Sequence, residues 1–230
     1  MKIQPPVTRP LNMDALLQSV GIGIVSTTYQ PSDVISFQGD AADSVFFLQD
    51  GLVKLSVASS EGRGGVVALL ESGDFFGESA LAGQRTRRQE AMAVTPATVL
   101  IIPKAQMIRA LHTDHAFSDR FITHMLARNT RLEADLVDQL LNSSEKRLAR
   151  TLLLLAHCGK PGETHHVLPK VSQTTLAEIV GTTRSRVNYF MSGFKRRGFI
   201  EDDGGLRIND SLMTVLAENE AADALRLRAS

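Results

Sequence analysis

Two stretches of the chain hold residue types that could do chemistry. In "GDFFGESALAGQRTRRQEAMAV", residues 73–94, Gly77 and Glu78 precede Ser79, and the arginines Arg85, Arg87 and Arg88 follow. Glycine lets a backbone approach a ligand closely, and guanidinium forks match phosphate and carboxylate oxygens, so the stretch is a candidate anion pocket. In "VSQTTLAEIVGTTRSRVNYFMSGFKRRGFIE", residues 171–201, hydroxyls and guanidiniums gather at Thr182, Thr183, Arg184, Ser185 and Arg186. Hydroxyls and helix N-terminal amides hold phosphate oxygens, and arginine matches the O6/N7 acceptor pair of guanine, so this stretch points to duplex DNA.

Other chemistries fit less well. "GESAL" starts like a hydrolase nucleophile elbow, but Leu81 stands where the sharp turn needs a second glycine, so Ser79 is not read as a nucleophile and no catalytic residue is assigned. His157, Cys158, His165 and His166 match no familiar zinc spacing, and no metal site is assigned. His112, His115 and His124 are read as solvent-exposed rather than as haem ligands. With a single cysteine, the chain can form neither an internal disulfide nor a four-thiolate iron-sulfur site.

The 230 residues are 43% apolar and 22% charged, an ordinary globular balance, and no apolar run reaches the roughly 18 residues needed to cross a bilayer. A cytoplasmic protein without a membrane partner is expected. Net charge is zero but unevenly spread: residues 1–143 hold 12 Lys/Arg and 15 Asp/Glu, residues 144–230 hold 13 and 10. No acid falls between Glu178 and Glu201, where Arg184, Arg186, Lys195, Arg196 and Arg197 lie.

These residues need elements to position them. From about Val34 to Ile102, short β-branched and aromatic runs alternate with turn pairs such as Asp50-Gly51 and Gly64-Gly65, which predicts a β-sandwich, roll or barrel. A short helix around Lys104 to Leu111 follows. Then Phe121, Met125, Asn129, Leu132, Leu136 and Leu140 recur at helical spacing, widened by Ile122, Leu126, Val137 and Leu141. So broad a stripe predicts self-pairing as a coiled coil, with Asn129 as a polar seam residue. Ser144 is expected to cap the next helix. Leu176, Ile179 and Val180 then give one short apolar face, Gly181 a turn, and Val187, Phe190, Met191 and Phe194 a second face on a helix beginning at Thr182 or Thr183: a helix-turn-helix. "FIEDDGGLRI" reads as a wing hairpin turned at Gly204-Gly205. The fold class is therefore α+β.

In motif order, from "GDAADSVFFLQDGLVKLSV" through "GDFFGE", the long helix and "RLARTLLLLA" to the helix-turn-helix, the chain resembles the cyclic-AMP receptor protein / FNR (CRP/FNR) superfamily of bacterial transcription regulators. The resemblance implies an N-terminal double-stranded β-helix (jelly-roll, cyclic-nucleotide-binding-like) sensory domain over residues 1–115, a dimerisation helix over 116–142 and a winged helix-turn-helix over 143–230. It implies a homodimer on a palindromic DNA operator, with RNA polymerase as a further partner. Base readers map to Arg184, Ser185 and Asn188, with Tyr189 where the family often has arginine. Phosphate contacts map to Gln173, Thr182, Thr183 and Arg186, with Lys195 and Arg196 as weaker ones. The effector pocket maps to Gly77, Glu78, Ser79, Arg87 or Arg88, Leu132 and Glu133. Leu132 and Glu133 stand where the cyclic-AMP receptor has its adenine-contacting hydroxyl pair, and Glu90 adds an acid near the anion site. The effector therefore stays open between none, an unknown anion and, as the alternative, cyclic AMP or cyclic GMP. The N-terminal cysteines through which the FNR branch senses oxygen are missing, so no iron-sulfur cluster is expected.

Overall fold

The computed structural model describes residues 25–58, 64–157, 166–168, 171–202 and 205–217. Its N-terminal part is built from β1 (Val25–Tyr29), β2 (Val34–Ser36), β3 (Ser44–Asp50), β4 (Val53–Ala58), β5 (Gly64–Leu70), β6 (Phe75–Phe76), β7 (Glu90–Ala93) and β8 (Ala97–Pro103). These strands pair antiparallel in two four-stranded sheets, ordered β1-β8-β3-β6 and β2-β7-β4-β5. The roll is the jelly-roll expected, although it begins earlier than Val34: "VSTTY" pairs with β8, Val25 opposite Ile101 and Tyr29 opposite Ala97. That strand is mostly exposed and polar, so it carries no hydrophobic alternation to read.

The continuous apolar run of β3 has a simple cause. Phe46 and Leu48 point between the two sheets with Val53, Leu55, Phe76 and Val99, while Val45 and Phe47 point outward with Phe75, Leu100 and Ile102. Successive side chains of a strand alternate faces, so a strand apolar on both must be covered twice. The outer cover consists of α1 (Lys104–Thr113), through Met107 and Ala110, and the start of α2 (His115–Leu141), through Phe117 and Phe121. Asp114 caps α2, its Oδ1 accepting from the Phe117 N–H at 3.0 Å.

This cover divides the apolar stripe of α2. Phe121 and Met125 pack into the chain's own roll, so they are not available to a partner helix. Ile122, Leu126, Leu136 and Leu140 stay exposed, and Asn129 donates to Glu133 Oε1 at 2.9 Å on the same face. Positions 122, 126, 129, 133, 136 and 140 alternate steps of four and three, the spacing that a coiled-coil seam requires.

The C-terminal part comprises α3 (Ser144–His157), β9 (His166–Val167), α4 (Gln173–Val180), α5 (Arg184–Arg196), β10 (Ile200–Asp202), β11 (Leu206–Ile208) and α6 (Met213–Ala217). Ser143, not Ser144, sits at the mouth of α3, its Oγ accepting from the Lys146 N–H. β10, β11 and β9 form a three-stranded antiparallel sheet, so the wing strands exist; the predicted turn residue Gly204 lies outside the described residues. One core joins Leu148, Leu152 and Leu155 of α3 with Leu176, Val180, Val187 and Phe194, and it extends to Leu52 and Val94 of the roll.

Candidate functional site

The helix-turn-helix is fixed by local chemistry. Ser172 Oγ accepts from the Thr175 N–H at 3.0 Å and caps α4. At the far end Gly181 adopts φ 65, a left-handed conformation that side-chain-bearing residues rarely take, and this ends α4 in a tight turn. Thr183 then caps α5, its Oγ1 accepting from the Arg186 N–H at 3.3 Å, so α5 starts at Arg184 and not at Thr182 or Thr183. Val187, Met191 and Phe194 anchor α5 in the core. The opposite face exposes Arg184, Ser185, Arg186, Asn188 and Tyr189, the last 69% exposed with its ring against Phe190. Gln173 donates to Asn188 Oδ1 at 3.4 Å, which brings a predicted phosphate contact beside a predicted base reader. Arg197 has a structural role: it pairs with Glu145 at 2.5 Å and lies over the rings of Phe194 and Phe199.

The second predicted site lies in the roll. Two arginines competed for one role, and backbone pairing separates them. The Arg87 N–H donates to the Asp40 carbonyl and its own carbonyl accepts from the Gly39 N–H, which turns the Arg87 side chain inward and Arg88 outward. Arg87 Nη2 donates to the Ser44 carbonyl (3.0 Å) and Oγ (2.8 Å), and its guanidinium lies 4.3 Å from the centroid of the Phe46 ring. Burial lowers the Arg87 pKa and the carboxylates of Asp43 and Asp40 oppose that shift; a guanidinium remains charged throughout. Gly77, at φ 73, packs beneath it: a Cβ there would come 2.5 Å from Arg87 Nη1 and 3.1 Å from Phe46.

Space follows from this placement. The cavity that includes Gly77 and Ser79 measures ≈ 20 Å³, room for about one water molecule. A larger open cavity of ≈ 650 Å³ lies alongside, lined by Gln38, Val57, Gln84, Thr86, Arg87, Arg88 and Gln89. Leu132 and Glu133 line neither cavity, and Glu78 Oε1 pairs with Arg128 Nη1 at 3.1 Å.

Sequence reasoning missed the polar cluster behind Glu78. His124, Arg128 and Arg131 fall at i, i+4 and i+7 on α2 and face β6. Arg128 donates to the Phe75 carbonyl at 2.7 Å, Arg131 pairs with the buried Asp74, and the Phe75 N–H donates to His124 Nε2 at 3.4 Å. His124 is thus largely buried, against the exposed position expected of it, whereas His112 and His115 are exposed. Its helical spacing with two arginines was the available signal. Asp74 Oδ1 lies 3.6 Å from Nε2, the nitrogen that also faces the Phe75 N–H. Burial lowers the His124 pKa below its ordinary 6.5; Arg131 and Arg128 add to the shift, while Asp74 and Glu78 oppose it. Among the described residues no group of three or more His, Cys, Asp or Glu could hold a metal; Cys158 and His165 lie outside them.

Two domain families match the chain. Residues 26–114 match the cyclic nucleotide-binding domain family, and residues 146–211 match the Crp-like helix-turn-helix domain family. The chain is 31% identical over 180 residues to the global nitrogen regulator of Synechocystis sp., covering 76% of this chain and 80% of that one. It is 23% identical over 216 residues to a CRP-like cAMP-activated global transcriptional regulator of Mycobacterium tuberculosis, covering 86% and 96%. A CRP-family transcriptional regulator from Thermus thermophilus superposes with TM-score 0.70 at 23% identity, covering 82% of this chain and 95% of that one, a likeness of fold.

A histidine neutral in the fold and protonated in the unfolded chain makes stability fall as pH drops below the unfolded value and level off below the folded one. Melting temperature is expected to decline as pH falls below about 6.5, and His124→Gln, which retains an acceptor for Phe75, is expected to flatten that decline. An unchanged pH profile in His124→Gln would contradict the assignment.

Proposed function

Because the chain belongs to the CRP/FNR superfamily of DNA-binding transcription regulators, we propose that it binds a palindromic operator as a homodimer paired along α2, with the N-terminal turn of α5 in the major groove. The observation that carries this reading is the exposed seam. Leu126 is 64% exposed and Leu140 72%, on a helix whose other face is already committed to the roll. Apolar residues at heptad spacing bury themselves against an equivalent helix, and a two-fold axis then presents two copies of α5 about one helical turn, ~34 Å, apart.

Within each half-site, Arg184, Ser185 and Asn188 read base edges, and Tyr189 offers an aromatic ring and a hydroxyl to the adjacent pair. Gln173, Thr182, Thr183 and Arg186 hold phosphates, with Lys195 and Arg196 further along the helix. RNA polymerase is the partner through which operator binding acts on transcription.

For the sensory roll we infer control by an effector other than a cyclic nucleotide, or none. The inward arginine is already bonded to Ser44 and stacked on Phe46, and the space at Gly77 and Ser79 holds little more than water. Cyclic AMP or cyclic GMP is the second reading, favoured by the domain match over residues 26–114. It requires a ligand to draw Arg87 off Phe46 and to use Arg88 or Gln89 in the ≈ 650 Å³ cavity.

Arg184→Ala is expected to cost about 1–3 kcal/mol and to relax preference at one base pair, whereas Arg186→Ala weakens all duplexes alike; titration of matched and mismatched operators reads both. Leu136→Lys, which places a charge on the seam, is expected to shift the protein from dimer to monomer in sedimentation and to remove operator affinity. Calorimetry with cyclic AMP and cyclic GMP should show no micromolar binding; such binding would favour the second reading.

A further inference from the structure

β4 alternates between two surroundings. Val53 and Leu55 enter the core between the sheets, so Lys54 is turned to the outer face. There it is 8% exposed, and its ammonium meets Glu178 Oε2 of α4 at 2.5 Å, across 124 residues of sequence. Leu52 and Val94 share a core with Leu176, Ala177 and Val180, while Leu69 packs against its edge. Arg147 of α3 ties the end of α4 to the end of α2 and the hinge, donating to the carbonyls of Val180 (3.0 Å), Gln139 (3.2 Å) and Asn142 (2.9 Å).

The docked helix is α4, and the reading face of α5 remains exposed beside it. A partly buried ion pair adds little net stability, since desolvation offsets attraction, but an ammonium left buried without a counter-charge is costly. The partners differ here, because the Glu178 side chain is 46% exposed and Lys54 10%. Loss of the Glu178 charge with the domains in place therefore leaves the lysine buried without a counter-charge, whereas loss of the lysine leaves a carboxylate that water already reaches.

We propose that Lys54 and Glu178 form a latch that fixes the reading head against the sensory roll in the pose that meets a two-half-site operator. A head attached only through Asn142 and Ser143 would have to lose orientational freedom on binding; the latch removes that loss beforehand. It also makes β4 the element through which a change in the roll reaches DNA affinity. The proposal rests on the dimeric operator reading above, and Lys54 and Glu178 act as positioning residues that touch no base.

The test uses full-length Glu178→Gln, Lys54→Met and the double variant Lys54→Met with Glu178→Leu, on a two-half-site operator and on a single half-site duplex at one salt concentration. Melting and sedimentation first establish folding and assembly. Glu178→Gln, which leaves the lysine without its counter-charge, is expected to lose about tenfold in affinity for the two-half-site operator and less than about twofold for the half-site. Lys54→Met, which strands no buried charge, loses less, and the double variant recovers most of the Glu178→Gln loss because both charges are gone. Amide exchange in α4 and β4 rises in Glu178→Gln alone. Should Glu178→Gln not fold, Lys54→Met carries the comparison: a loss on the full operator with the half-site unchanged supports the latch. Unchanged or raised operator affinity in both single variants, or equal loss on both duplexes, overturns it. Failure of the wild-type protein to prefer any operator would instead overturn the functional reading beneath it.

Discussion

A strand with no polar face has to be covered on both sides, and β3, inside the sheet β1-β8-β3-β6, imposes that requirement on everything around it. The inner face of this sheet meets the second sheet; its outer face, through Val45, Phe47 and Phe75, is closed by α1 and the first half of α2. Phe75 is fully buried and touches Phe47, Phe121 and His124 edge-on or tilted, burial worth about 2 kcal/mol for a single side chain. Because α2 is 27 residues long, about 40 Å, it outlasts the surface it covers. Its second half therefore projects beyond the roll with an apolar face still bare, and the dimer reading follows from that surplus.

The same junction concentrates the charge of the sensory part. Asp74 and Glu78 leave the tip of β6 and are met by Arg131 and Arg128 from the covering helix, so the cassette around Gly77 is tied to α2 by ion pairs as well as by packing. Across the cassette, Arg87 is held by Ser44 and by the face of Phe46, where a cation on an aromatic ring loses less by desolvation than it would elsewhere in a core. The pocket that a ligand would use is thus a set of charges that already have partners.

The reading head is built differently, by short-range devices. Ser172 and Thr183 each supply the oxygen that a helix start lacks, and Gly181 takes the backbone conformation that other residues resist. These devices set the helix ends and the turn between them, while the core shared with α3 holds the two helices together; the orientation of the head is a separate matter from its shape. Orientation is governed by where α4 meets the outer face of the second sheet, around Leu52, Leu69 and Val94.

This difference separates what was legible in the sequence from what was not. The helix-turn-helix, its glycine turn, the hairpins of the roll and the amphipathic character of α2 follow from residues within a few positions of one another, where backbone preference and hydrophobic period act directly. The partition of α2 into a face on the roll at Phe121 and Met125 and a free face at Ile122 and Leu126 does not, because both sets share one helical stripe until a sheet is placed beneath it. Nor could spacing decide between Arg87 and Arg88, adjacent residues whose side chains part only when the backbone pairs with Gly39 and Asp40. The burial of His124 among Asp74, Arg128 and Arg131, and the meeting of Lys54 with Glu178, were decided by tertiary structure alone. A charge in a sequence carries no mark of the dielectric it will occupy or of the counter-charge it will find, and both are set by chain segments far away in sequence that packing brings into contact.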